Sequence, residues 1–168
     1  MSKMKVVILA GGLGTRISEY TKTIPKPMIK INNLPILLHI IRIYIKFGHR
    51  EFYIAAGYKK DIIEKYFENF STNGKKFEEI LFKKKCSINI LNTGKNSMTG
   101  GRLKRVSKYI KKNEDFMLTY GDGLSNVDLL KLEKFHKKNK KIATVTAVRP
   151  PARFGELTIR KNVVTKFL

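Results

Sequence analysis

The chain has 168 residues, and its 35 lysines and arginines against 13 aspartates and glutamates give a formal net charge of +22. With 42% hydrophobic residues, this length suits one compact domain with a hydrophobic core, so we expect a single domain over residues 1–168. No run approaches the roughly 18 apolar residues that a membrane span needs, and the start leads directly into a predicted strand, not a signal peptide. These features predict a cytoplasmic protein with no membrane partner.

The strong positive charge makes nucleic acid an alternative partner, because such an excess attracts polyanions in general. The lysines are dispersed in short runs, however, at 83–85, 111–112, 137–138 and 140–141. The sequence matches no helix-turn-helix, RNA-recognition or zinc-finger pattern. We therefore expect no specific nucleic-acid partner, only weak and salt-sensitive binding.

Apolar runs alternate with amphipathic stretches along most of the chain. The runs predict buried strands at 6–10, 52–56, 88–91 and 116–120, with a fifth at 142–148. The stretches predict helices at 36–47, 61–70, 102–110 and 127–135, the last capped by Asn126 or Ser125. This alternation predicts an α/β fold, a Rossmann-like three-layer sandwich with a mixed, mainly parallel sheet.

Two more alternating stretches, at 156–160 and 163–168, follow the last predicted helix. The chain stops within the second of them, without a cap, a polar tail or a turn. This ending predicts a truncated protein.

A glycine-rich loop directly follows the first predicted strand, where ligands of parallel sheets bind. Its glycines let the backbone approach a polyphosphate, and a hydroxyl and a guanidinium complete an anion site; its residues are Gly11, Gly12, Leu13, Gly14, Thr15 and Arg16. A plain glycine turn is the alternative, but it does not explain the arginine. The spacing excludes a P-loop, and Ile17 replaces the third glycine of a dinucleotide fingerprint.

Lys26 lies between Pro25 and Pro27. Proline fixes its own backbone and restricts the residue before it, so this lysine loses little conformational entropy when it meets a phosphate. A surface lysine in a proline turn is the alternative. So soon after the glycine loop, the phosphate role is favoured.

The glycine loop and the Pro-Lys-Pro segment together resemble the signature of the sugar-1-phosphate nucleotidyltransferases. Other segments resemble the glucose-1-phosphate cytidylyltransferases of that family, namely those at 92–94, 97–106, 119–123 and 150–155. The Met-Thr-Gly-Gly-Arg-Leu run at 98–103 is the most distinctive of them. The resemblance covers nearly the whole chain and implies the nucleotide-diphospho-sugar transferase type of fold.

The resemblance implies an enzyme that joins CTP and α-D-glucose 1-phosphate into CDP-glucose and pyrophosphate by Mg²⁺-dependent in-line displacement. It assigns catalytic roles to Arg16, Lys26 and Asp122, with Asp122 as the Mg²⁺ ligand. Substrate contacts are implied for Leu9, Ala10, Gly11, Gly12, Leu13, Gly14, Thr15, Arg16, Lys26, Ser97, Arg102 and Gly121. A homo-oligomer that supplies nucleotide sugar for surface polysaccharides such as lipopolysaccharide or O-antigen is also implied.

The chain departs from this family in three places. The segment between residues 69 and 88 is shorter, Asn32-Asn33-Leu34 replaces a Gly-Gly-Lys turn, and the family's C-terminal region with a second metal-binding aspartate does not follow. The activity of the chain by itself is therefore open. The alternatives are a different nucleotide or sugar phosphate, and a catalytically silent remnant that binds nucleotide or nucleic acid.

Overall fold

The structure is a computed structural model that describes residues 4–14, 18–72, 86–149 and 157–167. The chain forms two compact units, Met1–Leu130 and Lys131–Leu168. The single domain predicted for residues 1–168 stays a prediction. In the part of the chain that is described, no helix is long and apolar enough to cross a membrane.

The first unit alternates strands and helices, as the sequence predicts. Its elements are β1 (Lys5–Ala10), α1 (Ser18–Thr21), β2 (Lys30–Ile31), β3 (Leu34–Pro35), α2 (Ile36–Lys46), β4 (Glu51–Ala56), α3 (Lys60–Thr72), β5 (Ser87–Asn92), α4 (Thr99–Val106) and β6 (Phe116–Tyr120). Short 3₁₀ turns occur at Lys26–Met28 and Ser107–Tyr109. A fifth helix, α5 (Leu129–Asn139), begins at the end of this unit.

Four strands form one sheet in the order β5-β4-β1-β6, and every neighbouring pair is parallel. The central strands β1 and β4 are almost entirely buried, which explains their continuous apolar sequences. The four predicted strands and the α/β fold with a mainly parallel sheet are confirmed.

Helices cover both faces of this sheet. On one face Val7, Leu9 and Tyr53 form a core cluster with Val106 of α4. On the other face Tyr44 of α2 lies near the side chain of Thr119, which pairs with Ile8 of β1. Residues alternate between the two faces of a strand, so the sheet is the middle of three layers.

The starts of two helices differ from the predictions. Helix α4 begins three residues before the predicted start, at Thr99, and continues into the Ser107–Tyr109 turn. Helix α5 begins at Leu129, and the Asp128 carboxylate accepts a hydrogen bond from the Leu130 amide at 3.0 Å. The caps predicted at Asn126 or Ser125 are therefore wrong, because Asp128 takes that position.

The β2-β3 hairpin explains the Asn32-Asn33 pair. Both residues have positive φ, at 48° and 65°, as a two-residue hairpin turn requires. Asparagine tolerates this left-handed backbone better than most residues. The asparagine pair therefore supplies the left-handed backbone that this turn needs.

The second unit contains the rest of α5 and an antiparallel hairpin of β7 (Leu157–Arg160) and β8 (Val163–Phe167). The two alternating stretches near the end of the sequence form the two strands of this hairpin. The strand predicted at 142–148 is wrong: these residues form no strand, and Ile142 and Val145 are 104% and 85% exposed. An apolar run becomes a strand only where another strand pairs with it, and none does so here among the described residues.

Candidate active site at the carboxyl ends of the strands

The residues after the four parallel strands meet at one edge of the sheet, because parallel strands all end on the same side. The glycine loop follows β1, Gly57 follows β4, Thr93 follows β5, and Gly121 and Asp122 follow β6. Each of these segments contacts at least one of the others, as described below. This edge is therefore the candidate active site.

The glycine loop continues β1 from two predicted contact residues that are buried in the strand, Leu9 and Ala10. Gly12 is exposed, and a Cβ placed there would meet no atom of the described residues within 4 Å. Gly14 has a φ of 67°, and its carbonyl accepts a hydrogen bond from Thr21 at 3.0 Å. Gly12 is thus the position with space for a ligand.

The remaining loop residues are Leu13, Thr15 and Arg16. Leu13 is 46% exposed. Thr15 and Arg16 lie outside the described residues, as does the motif predicted at 150–155. The roles assigned to these residues stay predictions.

The Pro-Lys-Pro segment forms a tight turn beside this loop. Pro25 and Pro27 are buried, and the Met28 amide donates to the Pro25 carbonyl at 2.8 Å. Lys26 extends from this turn, and its Nζ lies 2.5 Å from Oδ2 of Asp122. Lys26 and Asp122 were both predicted as site residues from distant parts of the sequence, and here they form an ion pair.

Gly121 explains why this turn and the end of β6 come so close. Its amide donates to the Leu9 carbonyl at 2.8 Å. A Cβ at Gly121 would lie 3.0 Å from Cγ of Pro27 and 3.1 Å from the Leu9 carbonyl oxygen. A side chain would therefore push the Lys26 turn away from Asp122.

The Lys26–Asp122 pair is part exposed, with 38% and 30% of the two side chains accessible. A pair of this kind contributes little stability, so either partner can be exchanged for a ligand at small cost. Among the described residues, no group of three or more His, Cys, Asp or Glu side chains could enclose a metal. Asp122 fits as the one carboxylate ligand of a Mg²⁺ ion whose other ligands are phosphate oxygens and water.

Arg102 lies beneath the glycine loop and is only 4% exposed. Its Nη2 donates to the Gly11 carbonyl at 2.7 Å, and its Nη1 donates to Thr93 Oγ1 and the Gly94 carbonyl, both at 2.8 Å. Burial, and after it the charge of Arg105, lowers the pKa of Arg102. These contacts are all with the protein, and the predicted contact of Arg102 with substrate stays a prediction.

Ser97 lies just before α4, and its hydroxyl accepts a hydrogen bond from Arg105 at 2.8 Å. A Cβ at Gly94 would lie 2.9 Å from this hydroxyl oxygen. The serine is therefore held between the end of β5 and α4. Its predicted contact with substrate stays a prediction.

Two residues of this edge received no role from the sequence. Thr93 is fully buried, and both its amide and its hydroxyl donate to the Ala56 carbonyl, at 2.8 and 2.6 Å. Gly57 lies against the guanidinium of Arg102. The signal for Gly57 was its position directly after a buried strand, where a close approach of backbone favours glycine.

A separate groove of about 1070 Å³ lies between the β2-β3 hairpin and α3. Its lining includes three carboxylates and two lysines, namely Asp61, Glu64, Glu68, Lys30 and Lys65, and it lies away from the carboxyl ends of the strands. The cations and free backbone space of the glycine loop favour the sheet edge instead.

A family model described as nucleotidyl transferase matches residues 5–168. The chain belongs to the nucleotidyl transferase family. The resemblance predicted from the glycine loop and the Pro-Lys-Pro segment is thereby confirmed.

Two similar members of the family carry related names. The chain is 45% identical to a glucose-1-phosphate cytidylyltransferase of Salmonella typhimurium, over 98% of this chain and 68% of that enzyme. It is 39% identical to a probable glucose-1-phosphate cytidylyltransferase of Bacillus subtilis, with the same coverage. The more specific resemblance to the cytidylyltransferases is confirmed as well.

Solved nucleotidyl transferases share the fold. A UDP-glucose pyrophosphorylase in complex with UDP-glucose superposes with a TM-score of 0.66 at 25% identity. The match covers 83% of this chain and 55% of that one, so the chain spans about half the length of this relative.

Proposed function

We propose that this nucleotidyl transferase binds CTP and α-D-glucose 1-phosphate at the carboxyl ends of its strands and joins them into CDP-glucose and pyrophosphate. The observation that carries this proposal is the 45% identity, over 98% of the chain, to an enzyme named for that reaction. The open, cationic edge beside the glycine loop supports it.

The reaction is a direct displacement. A phosphate oxygen of glucose 1-phosphate attacks the α-phosphorus of CTP, and the bond from that phosphorus to the oxygen bridging to the β-phosphate breaks. Pyrophosphate leaves with the electron pair, and no covalent enzyme intermediate forms. Such a reaction depends mainly on positioning and on neutralising negative charge.

The chain's own residues divide this work. The loop from Leu9 to Arg16 wraps the triphosphate, and Arg16 holds the departing pyrophosphate. Lys26 neutralises charge where the sugar phosphate meets the α-phosphate. The backbone of Gly121 and the Ser97 side chain complete the contacts around the substrates.

Asp122 is the proposed Mg²⁺ ligand, and bound Mg²⁺ supplies charge neutralisation for the triphosphate. In the ligand-free protein Asp122 instead pairs with Lys26. Asp122 would hold the metal of a metal–nucleotide complex, and Lys26 would then be available to neutralise a phosphate oxygen. Without substrate, the ion pair keeps both side chains at the site.

We further propose a cytoplasmic enzyme that acts on small molecules, binds no specific nucleic acid, and forms a homo-oligomer. Its CDP-glucose supports synthesis of surface polysaccharides such as lipopolysaccharide or O-antigen. Sedimentation of the purified chain tests the oligomer: a single sedimenting species at the monomer mass would contradict it.

Pyrophosphate release tests the proposed reaction. The chain is incubated with Mg²⁺, each of the four nucleoside triphosphates and a panel of hexose 1-phosphates, with Lys26→Ala as the inactive control. We expect the CTP and glucose 1-phosphate pair to give the fastest release. Faster release from a purine triphosphate would assign the chain to another branch of the family, and no release from any pair would contradict the catalytic proposal for this chain.

A further inference from the structure

We propose that Tyr58 and Lys59 are positioning residues, which hold the carbonyls that follow α1 so that Lys26 keeps its place beside the substrates. Both act through the chain segment of residues 21–26, which leads from α1 to the Pro-Lys-Pro turn. This inference rests on the proposed function, because it concerns the lysine that neutralises phosphate charge in that reaction.

Tyr58 and Lys59 lie in a tight turn between β4 and α3. The Lys60 amide donates to the Gly57 carbonyl at 3.2 Å, which closes the turn. Lys59 has a φ of 51°, in the left-handed region that lysine rarely adopts. A strained backbone of this kind persists only where surrounding contacts fix it. The contacts of the turn with the segment that follows α1 are therefore part of what holds it.

Both side chains donate to carbonyls at the end of α1. The Tyr58 hydroxyl donates to the Thr21 carbonyl at 3.1 Å, and the Lys59 ammonium donates to the Lys22 carbonyl. The same ammonium lies 5.3 Å from the centre of the Tyr58 ring, within the range of a cation–π contact. The last carbonyls of a helix have no partner within the helix, so donors from outside can fix them. The turn thus fixes the start of the segment that leads to Lys26.

Thr21 connects this contact to the glycine loop and to Lys26. Thr21 is only 3% exposed, and its hydroxyl donates to the Gly14 carbonyl at 3.0 Å. A Cβ at Gly14 would lie 2.6 Å from Cγ2 of Thr21 and 3.5 Å from Cβ of Lys26. Thr21 and the stem of Lys26 are thus packed against the same glycine. Because packed groups transmit displacements, a shift of the Thr21 peptide also moves Lys26.

The backbone of Tyr58 makes a second contact, with the start of the glycine loop. Its amide donates to the Gly11 carbonyl at 3.3 Å. This contact does not depend on the side chain at position 58. Tyr58→Phe therefore removes only the hydroxyl contact with Thr21 and leaves the contact with Gly11.

The position of Lys26 matters because its ammonium has two alternative partners. In the ligand-free protein it lies 2.5 Å from Oδ2 of Asp122, and in the proposed reaction it meets a phosphate oxygen. Pro25 and Pro27 restrict the backbone on each side, so the lysine follows the segment before it. A ligand that requires one position of this turn loses affinity when fewer molecules hold that position. The contacts of Tyr58 and Lys59 raise the fraction of molecules that hold it.

The test compares Tyr58→Phe and Lys59→Met with Lys60→Met. Lys60→Met removes the same charge from the next residue, whose ammonium pairs with Glu64 on α3. Affinities for CTP and for inorganic tripolyphosphate are measured by calorimetry at one salt concentration. We expect Tyr58→Phe to weaken both ligands about threefold and Lys59→Met about tenfold, because a charged donor makes the stronger hydrogen bond. Lys60→Met should change either affinity by less than about twofold.

A double substitution shows whether the effect passes through Lys26. In a Lys26→Met background, Tyr58→Phe should have no further effect on either affinity, because the charge that the hydroxyl contact positions is gone. An equal effect of Tyr58→Phe with and without Lys26 overturns the inference, since the tyrosine would then act on the glycine loop by itself.

The backbone amide resonance of Lys26 in the ligand-free proteins separates positioning from a contribution to stability. Tyr58→Phe and Lys59→Met should both shift this resonance, while Lys60→Met should leave it in place. A purely stabilising role predicts a lower midpoint of urea unfolding with an unmoved Lys26 resonance and unchanged affinities, and that result overturns the inference. If Lys59→Met does not fold, Tyr58→Phe decides by itself, because it changes neither the backbone nor the contact with Gly11.

Tripolyphosphate separates this inference from the proposed function. If the unaltered protein binds tripolyphosphate but not CTP, the proposed function fails, and the Tyr58→Phe comparison with tripolyphosphate still decides the role of the tyrosine. If the unaltered protein binds neither ligand, Lys26 has no phosphate to meet and both proposals fail.

Discussion

Two largely buried cations lie at opposite ends of the sheet, and their partners differ. At the amino end, Lys5 lies 3.1 Å from the Glu114 carboxylate and 4.0 Å from that of Glu51, and it donates to the Tyr109 carbonyl at 3.0 Å. At the carboxyl end, the partners of Arg102 within the described part of the chain are all neutral oxygens. The amino end is therefore neutralised within the protein, while the carboxyl end keeps a positive charge that an anion can meet.

The difference shows how one sheet separates stability from ligand binding. Carboxylates near Lys5 satisfy its charge and fix the start of β1 against β4 and the Ser107–Tyr109 turn. Carboxylates near Arg102 would neutralise its positive charge, which would then attract a triphosphate less. Asp122, at the end of β6, is paired with Lys26 and suits a metal.

The largest effect is expected when each cation is replaced by methionine. Arg102→Met leaves several buried carbonyls without their donor and should lower the free energy of unfolding by about 2–4 kcal/mol. Lys5→Met removes a charge that is partly solvated and should cost about 1 kcal/mol. Urea denaturation of both variants measures the difference, and a larger loss for Lys5→Met would break the comparison.

Alanine substitutions at Gly57 and Gly12 separate an effect on stability from an effect on ligand binding. Gly57→Ala would place a Cβ against the guanidinium and 2.6 Å from the Gly94 carbonyl oxygen, and overpacking of this kind costs about 1–3 kcal/mol. Gly12→Ala meets no neighbour, so its stability should change by less than about 0.5 kcal/mol while CTP affinity falls. Denaturation and CTP titration of the matched pair check this, and equal stabilities would remove the role given to Gly57.

Replacing the carboxylate of the Lys26–Asp122 pair tests the partner exchange. In Asp122→Asn, Lys26 has no counterion and is free to meet phosphate, so CTP should bind more tightly without metal than it does to the unaltered protein. The dependence of CTP affinity on Mg²⁺ should also disappear, a change of about tenfold if one charged contact is involved. Calorimetric titrations with and without Mg²⁺ provide the measurement, and a retained Mg²⁺ dependence would contradict the assignment of Asp122.

The smallest effect concerns the pH dependence at the amino end. A hydrogen bond from the Lys111 amide, and after it the Lys5 ammonium, lowers the pKa of Glu114 below its usual value of 4.5. The unfolded chain then binds the proton more readily, so the stability from Glu114 is present above that value and is lost as the pH falls through the lower, folded pKa. Glu114→Gln should be less stable at neutral pH, and the gap should close in acid. If the difference in the free energy of unfolding between the two proteins widens in acid instead, the prediction of a lowered pKa for Glu114 is contradicted.

Tyr53 gives the matching test in alkali. Burial, followed by the hydrogen bond to Glu51 at 2.6 Å, raises the pKa of Tyr53 to about 12. The stability from this group is present below the ordinary pKa of 10.0 and is lost as the pH rises towards 12. Burial also raises the pKa of Tyr44 and of Tyr66, so tyrosinate absorbance should show several residues titrating late, and Tyr53→Phe should remove one of them.

The sequence predicted the central strands and the glycine loop because both are local patterns. A buried parallel strand is apolar along its length, and a loop that binds phosphate needs glycine at its own positions. The pairing of Lys26 with Asp122 was not local: it depends on β6 lying directly beside β1 in the sheet order.

One wrong prediction and one unforeseen feature have the same origin. The apolar run at 142–148 predicted a strand, but strand formation depends on a neighbour that no local pattern supplies. The burial of Arg102 among oxygens from three separate loops was not predicted, and its predicted contact with substrate stays a prediction. Its burial follows from the packing of those loops, and this packing cannot be predicted from the sequence of any one of them.

Calorimetric titration of the unaltered protein with CTP, with and without Mg²⁺, tests the central claim most directly. That claim is that the positive carboxyl end of the sheet is a triphosphate site for CTP. We predict saturable CTP binding that strengthens with Mg²⁺ and is tighter than GTP or ATP binding under the same conditions. Tighter binding of GTP or ATP, or no CTP binding at all, would contradict the account.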